Sequence, residues 1–529
     1  MKQIFRKLSL AALVIVGAMT FGCTGALEEV IPNSPEETTP GTPEETQQQP
    51  ESKTVTLTTT ISLGTETKAL DAEGVKTFAV GDQVAVIYKD ESKHTQKALS
   101  TPLVAGDIHD GGKKANIKVT LTDPAQNGAL RYIYPAAMAK AAIATDAKID
   151  DAGTIDFTRL NAQNGTLATL ASSYDLAVFD GNLTGDAALP ASATLTNPLC
   201  IGEFTIKDAD GNALSVSKLF IGDGINSYYI ERASASTDPF WVAMRPVESS
   251  QYLTFYATDG TNKYEKEIAG KTLTASNMYP LGIRTKKLQT GALFGTFSVD
   301  VSTTVHFSQG NLLYNGTSFL FHTNQYDNNG SWSSSNCDLF FWETEGNYGS
   351  GEEFVVYTMT VSDVVDWGAN PISGATGEWS TPSKNNWDYL FNTRTASTVG
   401  GTANGRFAKA CIFGPRHGII LFPDHYTHPA DVTAPTGVNG TGSTSWEGNN
   451  YSAADWAKME AAGAVFLPVT GSRNGSTVGG VGLYGKYWSS TAYETEKYDA
   501  YYFGFSEDTF DPNSISNRYF GLSVRLVGE

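Results

Sequence analysis

The sequence predicts a mainly β protein with an α+β C-terminal portion. Three observations carry that reading. Short runs of alternating apolar and polar residues recur along the chain. Gly, Pro, Asp and Asn clusters punctuate them every ten or so positions. Few windows carry a helical period, and the two that stand out lie beyond residue 288.

The chain opens with MKQIFRKLSLAALVIVGAMTFGC. Lys2, Arg6 and Lys7 precede about a dozen apolar residues, too short a run for a bilayer span but fitting a secretory signal. Gly22 before Cys23 resembles a bacterial lipobox, in which cleavage precedes a Cys that is then lipidated, although Thr20 stands where Leu is commonest. The alternative is an ordinary signal peptide with a chance Cys. The reading is a signal peptide over 1–22 and lipid on Cys23, which gives membrane affinity without a spanning helix. The protein is then a surface-exposed lipoprotein of the outer membrane. Residues 23–53 carry five Pro between Ile31 and Pro50 among Glu, Thr and Gln, a composition that stays extended and suits a linker or stalk.

Composition bounds the function. Four Cys in 529 residues make no disulfide scaffold. With Cys23 lipidated, Cys200, Cys337 and Cys411 remain, and either Cys337 pairs with Cys411 or all three are free thiols. The net charge of −19 argues against a nucleic-acid partner, since no basic footprint is evident.

From Thr54 the strands come in order. TVTLTTTISL alternates. KTFAVGDQVAVIYK sets Phe78 and Val80, then Val84, Val86 and Tyr88, at period two around Gly81-Asp82. ALRYIYPA and YDLAVFD are short strands closed by Pro135 and Asp180. Phe78-x-x-Gly81-Asp82, then Tyr132-x-Tyr134-Pro135, then Tyr174-Asp175-Leu176, taken in that order, resemble the fimbrillin family of Bacteroides-type Gram-negatives. The resemblance covers roughly residues 54–285. It implies two transthyretin-like β-sandwiches, placed here at 54–170 and 171–287. Some family members polymerise by strand exchange.

Near residue 288 the composition shifts, and eight of the nine Trp lie beyond it. In TPSKNNWDYLFNTR, Ser383 caps a helix with Trp387, Leu390 and Phe391 at i, i+3, i+4. In YSAADWAKMEAAG, Ser452 and Asp455 form a capping box and Gly463 ends the helix. The segments FSVDVSTTVHFSQGNLLY, GEWSTPS, AAGAVFLPVTGSR, YWSST and GLSVRL, in that order, resemble the FISUMP-type major paralogous domain of secreted bacterial proteins. That family is similar in fold to C-type lectins, and the resemblance implies such a domain over 288–529. Ser380 departs from the Arg common there. Lectin-like domains with this ending are also similar to the variable proteins of diversity-generating retroelements, whose last few dozen residues form the ligand surface.

Residues 484–520 hold twelve aromatics in 37 positions, about three times the chain's 11%. Tyr offers large contact area at low ordering entropy. Alternation sends Tyr501, Phe503 and Phe505 inward and Tyr502 outward, and residues 506–517 read as an exposed loop. The candidate ligand-binding residues are Tyr493, Tyr498, Tyr502, Ser506, Asp508, Phe510, Asn513, Asn517 and Tyr519. The alternative is that these aromatics pad an ordinary β-surface.

No catalytic residue, cofactor or metal is assigned. Asp511-Pro512-Asn513 resembles part of a C-type-lectin calcium loop, but no Trp-Asn-Asp strand comes after it. His425 and His428 lack an evident third strong ligand and read as a solvated pair. The motifs G-x-S-x-G and H-E-x-x-H are absent. The expected function is a non-catalytic adhesin or ligand-binding lipoprotein whose partner is a host or bacterial surface protein or glycan. The alternatives are a structural or tip subunit of a strand-exchanged fimbria and an envelope enzyme with an unrecognised site.

Overall fold

The computed structural model describes residues 52–64, 76–185, 188–248, 252–343 and 359–529. The expected signal peptide, Cys23 and the linker up to residue 51 lie outside the described residues. The chain is mainly β with a few short helices. Among the described residues no helix is long and apolar enough to cross a membrane.

The strand Thr54–Leu63 runs between Lys114–Thr122, antiparallel, and Ser192–Leu195, parallel. Along Lys114–Thr122 the alternation becomes a face: Ala115, Ile117, Val119 and Leu121 are buried and the residues between them are not. The opposing sheet orders Thr95–Leu99, Ala85–Lys89, Ala129–Tyr134 and Ala177–Asn182. Its central strands are covered on both faces. Val86, Tyr132 and Tyr134 meet Ile61, Ile117 and Leu195 between the two sheets. Ala85, Ile87 and Ile133 turn the other way, into a core with Ile201, Phe204 and Phe255. That double burial is why ALRYIYPA reads as a near-solid apolar run.

The pairing runs past the residue-170 boundary read from the sequence. Ala177–Asn182 and Ser192–Leu195 belong to the first pair of sheets, and Ala162–Gln163 pairs with Ser227–Ser236 of the second. That second pair sets Phe240–Met244, Cys200–Lys207 and Met278–Arg284 against a six-stranded sheet. The six-stranded sheet includes Val216–Gly222, Tyr252–Thr258 and Lys263–Ala269.

The outer face of the six-stranded sheet is covered by the chain beyond residue 288. Phe220 stacks on Tyr256, and Tyr256 stacks on Phe294 with centroids 4.9 Å apart. Lys263 donates to the Ala292 carbonyl at 2.7 Å. Gly222 allows the closest approach, because a Cβ there would stand 2.6 Å from Thr427 Oγ1.

Beyond residue 288 the fold mixes strands and helices. Thr304–Phe307 pairs with Val527–Gly528, so the end of the chain returns to the start of this portion. Phe407–Ile412, Arg416–Leu421 and Val465–Pro468 form a buried sheet. The helices Lys384–Asp388 and Ala453–Ala461 start at Ser383 and Ser452, each with a capping box. Leu522, Val524 and Leu526 are fully buried, as the last strand's alternation predicts. Cys200, Cys337 and Cys411 are buried, and the Cys337–Cys411 disulfide left open by the sequence does not form among the described residues.

Candidate functional site

The aromatic segment folds as an antiparallel sheet of Tyr484–Ala492, Asp499–Ser506 and Phe510–Asn517. One face is core. Phe503 and Phe505 lie beside Tyr487, and Phe503 packs on Trp387 and Phe391 with centroids 5.4 and 4.3 Å away. The helix begun at Ser383 supplies Trp387 and its π-helical extension Tyr389–Thr393 supplies Phe391, so the local capping signal positions the sheet.

The third strand departs from the expected loop. Tyr502 faces Ser514 but Gly504 faces Asp511, so the third strand carries one extra residue, a bulge next to Pro512. One extra residue reverses the facing of the strand on its far side. Phe510 therefore stands opposite Phe505 and turns into the core, stacking on Phe407 at 4.2 Å. Its neighbours are the core rings Phe391, Phe407 and Phe503.

The other face carries Tyr502 at its centre. Lys486 Nζ lies 4.8 Å from the Tyr484 ring centroid and 5.5 Å from that of Tyr502. The Tyr484 hydroxyl is fixed by Ser472 at 3.1 Å. The Lys486 ammonium makes no hydrogen bond or ion pair with a described residue, and burial lowers its pKa. Burial raises that of Tyr502, while a hydrogen bond from Ser514 works the other way. Gly504 stands opposite Lys486 and leaves space there, since a Cβ would meet the Tyr502 ring at 2.7 Å. Tyr484 and Lys486 were missed as site residues. The signal was present, because two-residue spacing from Tyr484 puts Lys486 and Trp488 on one face.

The remaining expected residues fall at the two ends of the Asp499–Ser506 strand, roughly 25 Å apart at about 3.4 Å per residue. At one end Tyr493 packs edge-on against Tyr501 at 5.4 Å. The Tyr501 hydroxyl donates to Glu494, and Lys384 sits 4.1 Å over its ring. Tyr498 is 49% exposed with Lys497 over its face. Asn517 donates to Asp499. Tyr519 is half-buried against Phe520. Arg518 is fully buried and holds this end through Asp363, the Asp499 carbonyl and the Trp342 ring. At the other end Ser506 accepts from the Asp508 and Thr509 amides, closing the turn, and exposed Asp508 accepts from Ser443. Asn513 lies between, donating to Asp388 at 2.9 Å.

Among the described residues no group of three His, Cys, Asp or Glu is placed to hold a metal. Asp511 accepts from the Asn513 amide and the Ser514 hydroxyl. The expected solvated His pair is not one. His425 is stacked on Tyr252 and bound to Glu267, while His428 contacts the Tyr426 hydroxyl and the Val432 carbonyl.

No family model matches the chain, and none of the curated proteins matches it. Among solved structures it is similar to a fimbrial assembly protein from Parabacteroides distasonis, at 12% identity over 49% of this chain and 96% of that one, with a TM-score of 0.26. A candidate cell adhesion protein from Bacteroides uniformis matches at 15% identity over 44% and 98%, also with a TM-score of 0.26. A candidate polysaccharide-binding protein from Bacteroides thetaiotaomicron matches at 9% identity over 44% and 94%, again at 0.26. TM-scores this low leave function to the chain's own geometry.

Proposed function

We propose that this chain is a non-catalytic surface lipoprotein that binds a protein or glycan through its C-terminal portion. Lipid on Cys23 and the Pro-rich linker attach it. Two fimbrillin-like sandwiches, whose strands interleave over residues 162–195, project it. A C-type-lectin-like domain over 288–529 carries the binding face. The return of Val527–Gly528 to Thr304–Phe307 supports the lectin-like reading, since it brings the domain's ends together.

The observation that carries the function is the Tyr484–Lys486–Tyr502 face. A cation without a carboxylate partner is held between two tyrosines, on a sheet fixed from behind by Trp387, Phe391 and Phe503. A rigid, part-polar aromatic surface suits recognition. Tyr498, Asn517 and Tyr519 extend it at one end, and Ser506 and Asp508 at the other, while Tyr493 packs on Tyr501 of the opposite face. Phe510 and Asn513 are left out as contacts, because the first packs in the core and the second ties the sheet to Asp388.

The test is binding of the full chain to cells and to a protein and glycan array, with Tyr498→Ala, Tyr502→Ala and Lys486→Gln combined. Loss of binding at unchanged melting temperature is the expected result. Unchanged binding would reject this face.

A second reading, a fimbrial subunit, is favoured by the Thr54–Leu63 strand. It comes directly after the linker and fills an interior position that a neighbour's strand could occupy. Its test is polymer formation by the mature protein; a persistent monomer counts against it.

A further inference from the structure

Four cations meet at one cleft of a strongly acidic chain. The cleft, about 750 Å³, is lined by Lys266, Arg284, Lys286 and Lys287, and reaches Thr296 of the portion covering the six-stranded sheet. Strand pairing sets Lys286 opposite Glu265 and Lys287 opposite Tyr264, so Lys266 and Lys287 share one face of this edge and Lys286 lies on the other, and the cleft takes in both. None of the four cations makes an ion pair or hydrogen bond with a described residue.

The carboxylates of the same cleft are mostly engaged. Glu265 faces His306 at 3.0 Å and Glu267 faces His425 at 2.8 Å. Asp208 accepts from the backbone and side-chain amides of Asn212. Asp210 is exposed in that turn. The cleft therefore sets four cations that have no protein partner among the described residues beside four carboxylates, two of which are turned to histidines.

We propose that this cleft binds a short oligosaccharide carrying carboxylate or sulfate groups. Its volume suits a ligand of a few rings. Leu214 and Tyr264 give it apolar wall and Thr296 a hydroxyl, the mixture a charged sugar needs. A long polyanion is disfavoured, because beyond about 8 Å of screening length it meets the field of a chain with net charge −19. The site is separate from the Tyr484–Lys486–Tyr502 face and stands or falls without it.

The experiment is titration calorimetry of the full chain with four probes: a galacturonate tetrasaccharide, a heparin tetrasaccharide, neutral maltotetraose and a tetraglutamate peptide. At least one anionic sugar is expected to bind, and maltotetraose is not. The variant K266Q/K286Q/K287Q is expected to weaken binding about tenfold or more, near 1.4 kcal/mol. The control K118Q/K148Q/K271Q removes the same charge at exposed positions elsewhere and is expected to leave affinity within about twofold. Binding of galacturonate alone assigns carboxylate recognition, and binding of heparin alone assigns sulfate; either supports the proposal. No binding by either sugar, equal weakening in both triple variants, or a tetraglutamate affinity matching the sugars would overturn it. If the first triple variant melts early, Lys287→Gln alone replaces it, with a threefold loss expected and no loss overturning.

Discussion

The ring of Tyr252 stacks on the imidazole of His425, with centroids 3.9 Å apart and planes 17° from parallel. The same imidazole meets the Glu267 carboxylate through Nδ1 at 2.8 Å. Tyr252 and Glu267 belong to the second sandwich and His425 to the portion beyond residue 288, so one histidine joins the two. Two residues along, Glu265 makes a matching contact to His306. With the Phe220–Tyr256–Phe294 stack between them and Thr427, these contacts bind the portion beyond residue 288 to the sandwich.

The His425 contact should depend on pH in a defined direction. Burial alone lowers the pKa of His425, but the hydrogen bond and charge of Glu267, with Asp424, leave it above the ordinary 6.5. A group whose folded pKa is raised contributes stability fully below the unfolded value, and that contribution disappears as pH rises through the folded value. The pair is partly exposed, so about 1 kcal/mol is at stake. Melting of the native chain and His425→Gln between pH 5 and 8.5 should show the gap widest at the acid end and narrowing upward. A gap that widens with pH would refute the assignment.

Gly222→Ala should destabilise the same junction. The added Cβ would stand 2.6 Å from Thr427 Oγ1 and 2.9 Å from its Cβ. Thr427 cannot swing away freely, because its hydroxyl accepts the Gly224 amide and the residue is buried. Overpacking of this kind costs about 1–3 kcal/mol. Urea unfolding should show a lower midpoint, and a variant as stable as the native chain would mean that the junction yields.

Much of the architecture was legible where local physics decides it. Ser383 and Ser452 cap helices because their hydroxyls accept the first free amides. Alternation over 114–122 reflects one-sided burial, whereas over 522–526 the polar Ser523 and Arg525 are buried as fully as the apolar residues beside them. What could not be read was set by contacts distant in sequence. Ala162–Gln163 is too short to leave a period, and the first pair of sheets closes only when residues 177–195 return to it. The inward turn of Phe510 depends on a bulge, which a strict period-two reading of the segment cannot contain. The lysine cluster was hidden because Lys266 and Lys286 lie 20 positions apart and line one cleft only once their strands pair.

Arg394 and Asp424 should be more sensitive than their surroundings. Arg394 is fully buried and donates to Asp424 at 2.7 Å and to the Phe422 carbonyl at 2.7 Å. Asp424 also accepts from the Ser298 amide and hydroxyl. Asp424→Ala leaves a guanidinium buried without its counter-charge, a loss of about 3–5 kcal/mol. Replacing both residues, as Arg394→Met with Asp424→Ala, should recover part of it. Guanidinium unfolding of the two variants separates an uncompensated charge from simple loss of packing, since the latter predicts that the double variant is worse.

The two faces of the aromatic sheet should respond to substitution in opposite ways. Phe503 is fully buried and touches Trp387, Phe391, Phe505 and Phe510. Phe503→Ala should cost about 3–5 kcal/mol by leaving a cavity among rings that cannot all close in. Lys486, across the sheet, is half-buried and joined to Tyr484 and Tyr502 by ring contacts alone, so Lys486→Gln should cost under about 1 kcal/mol. Its loss should instead appear in ligand capture at constant stability. Thermal melting and cell binding, measured on both variants, distinguish a recognition surface from aromatic padding. Padding predicts that Lys486→Gln changes neither quantity.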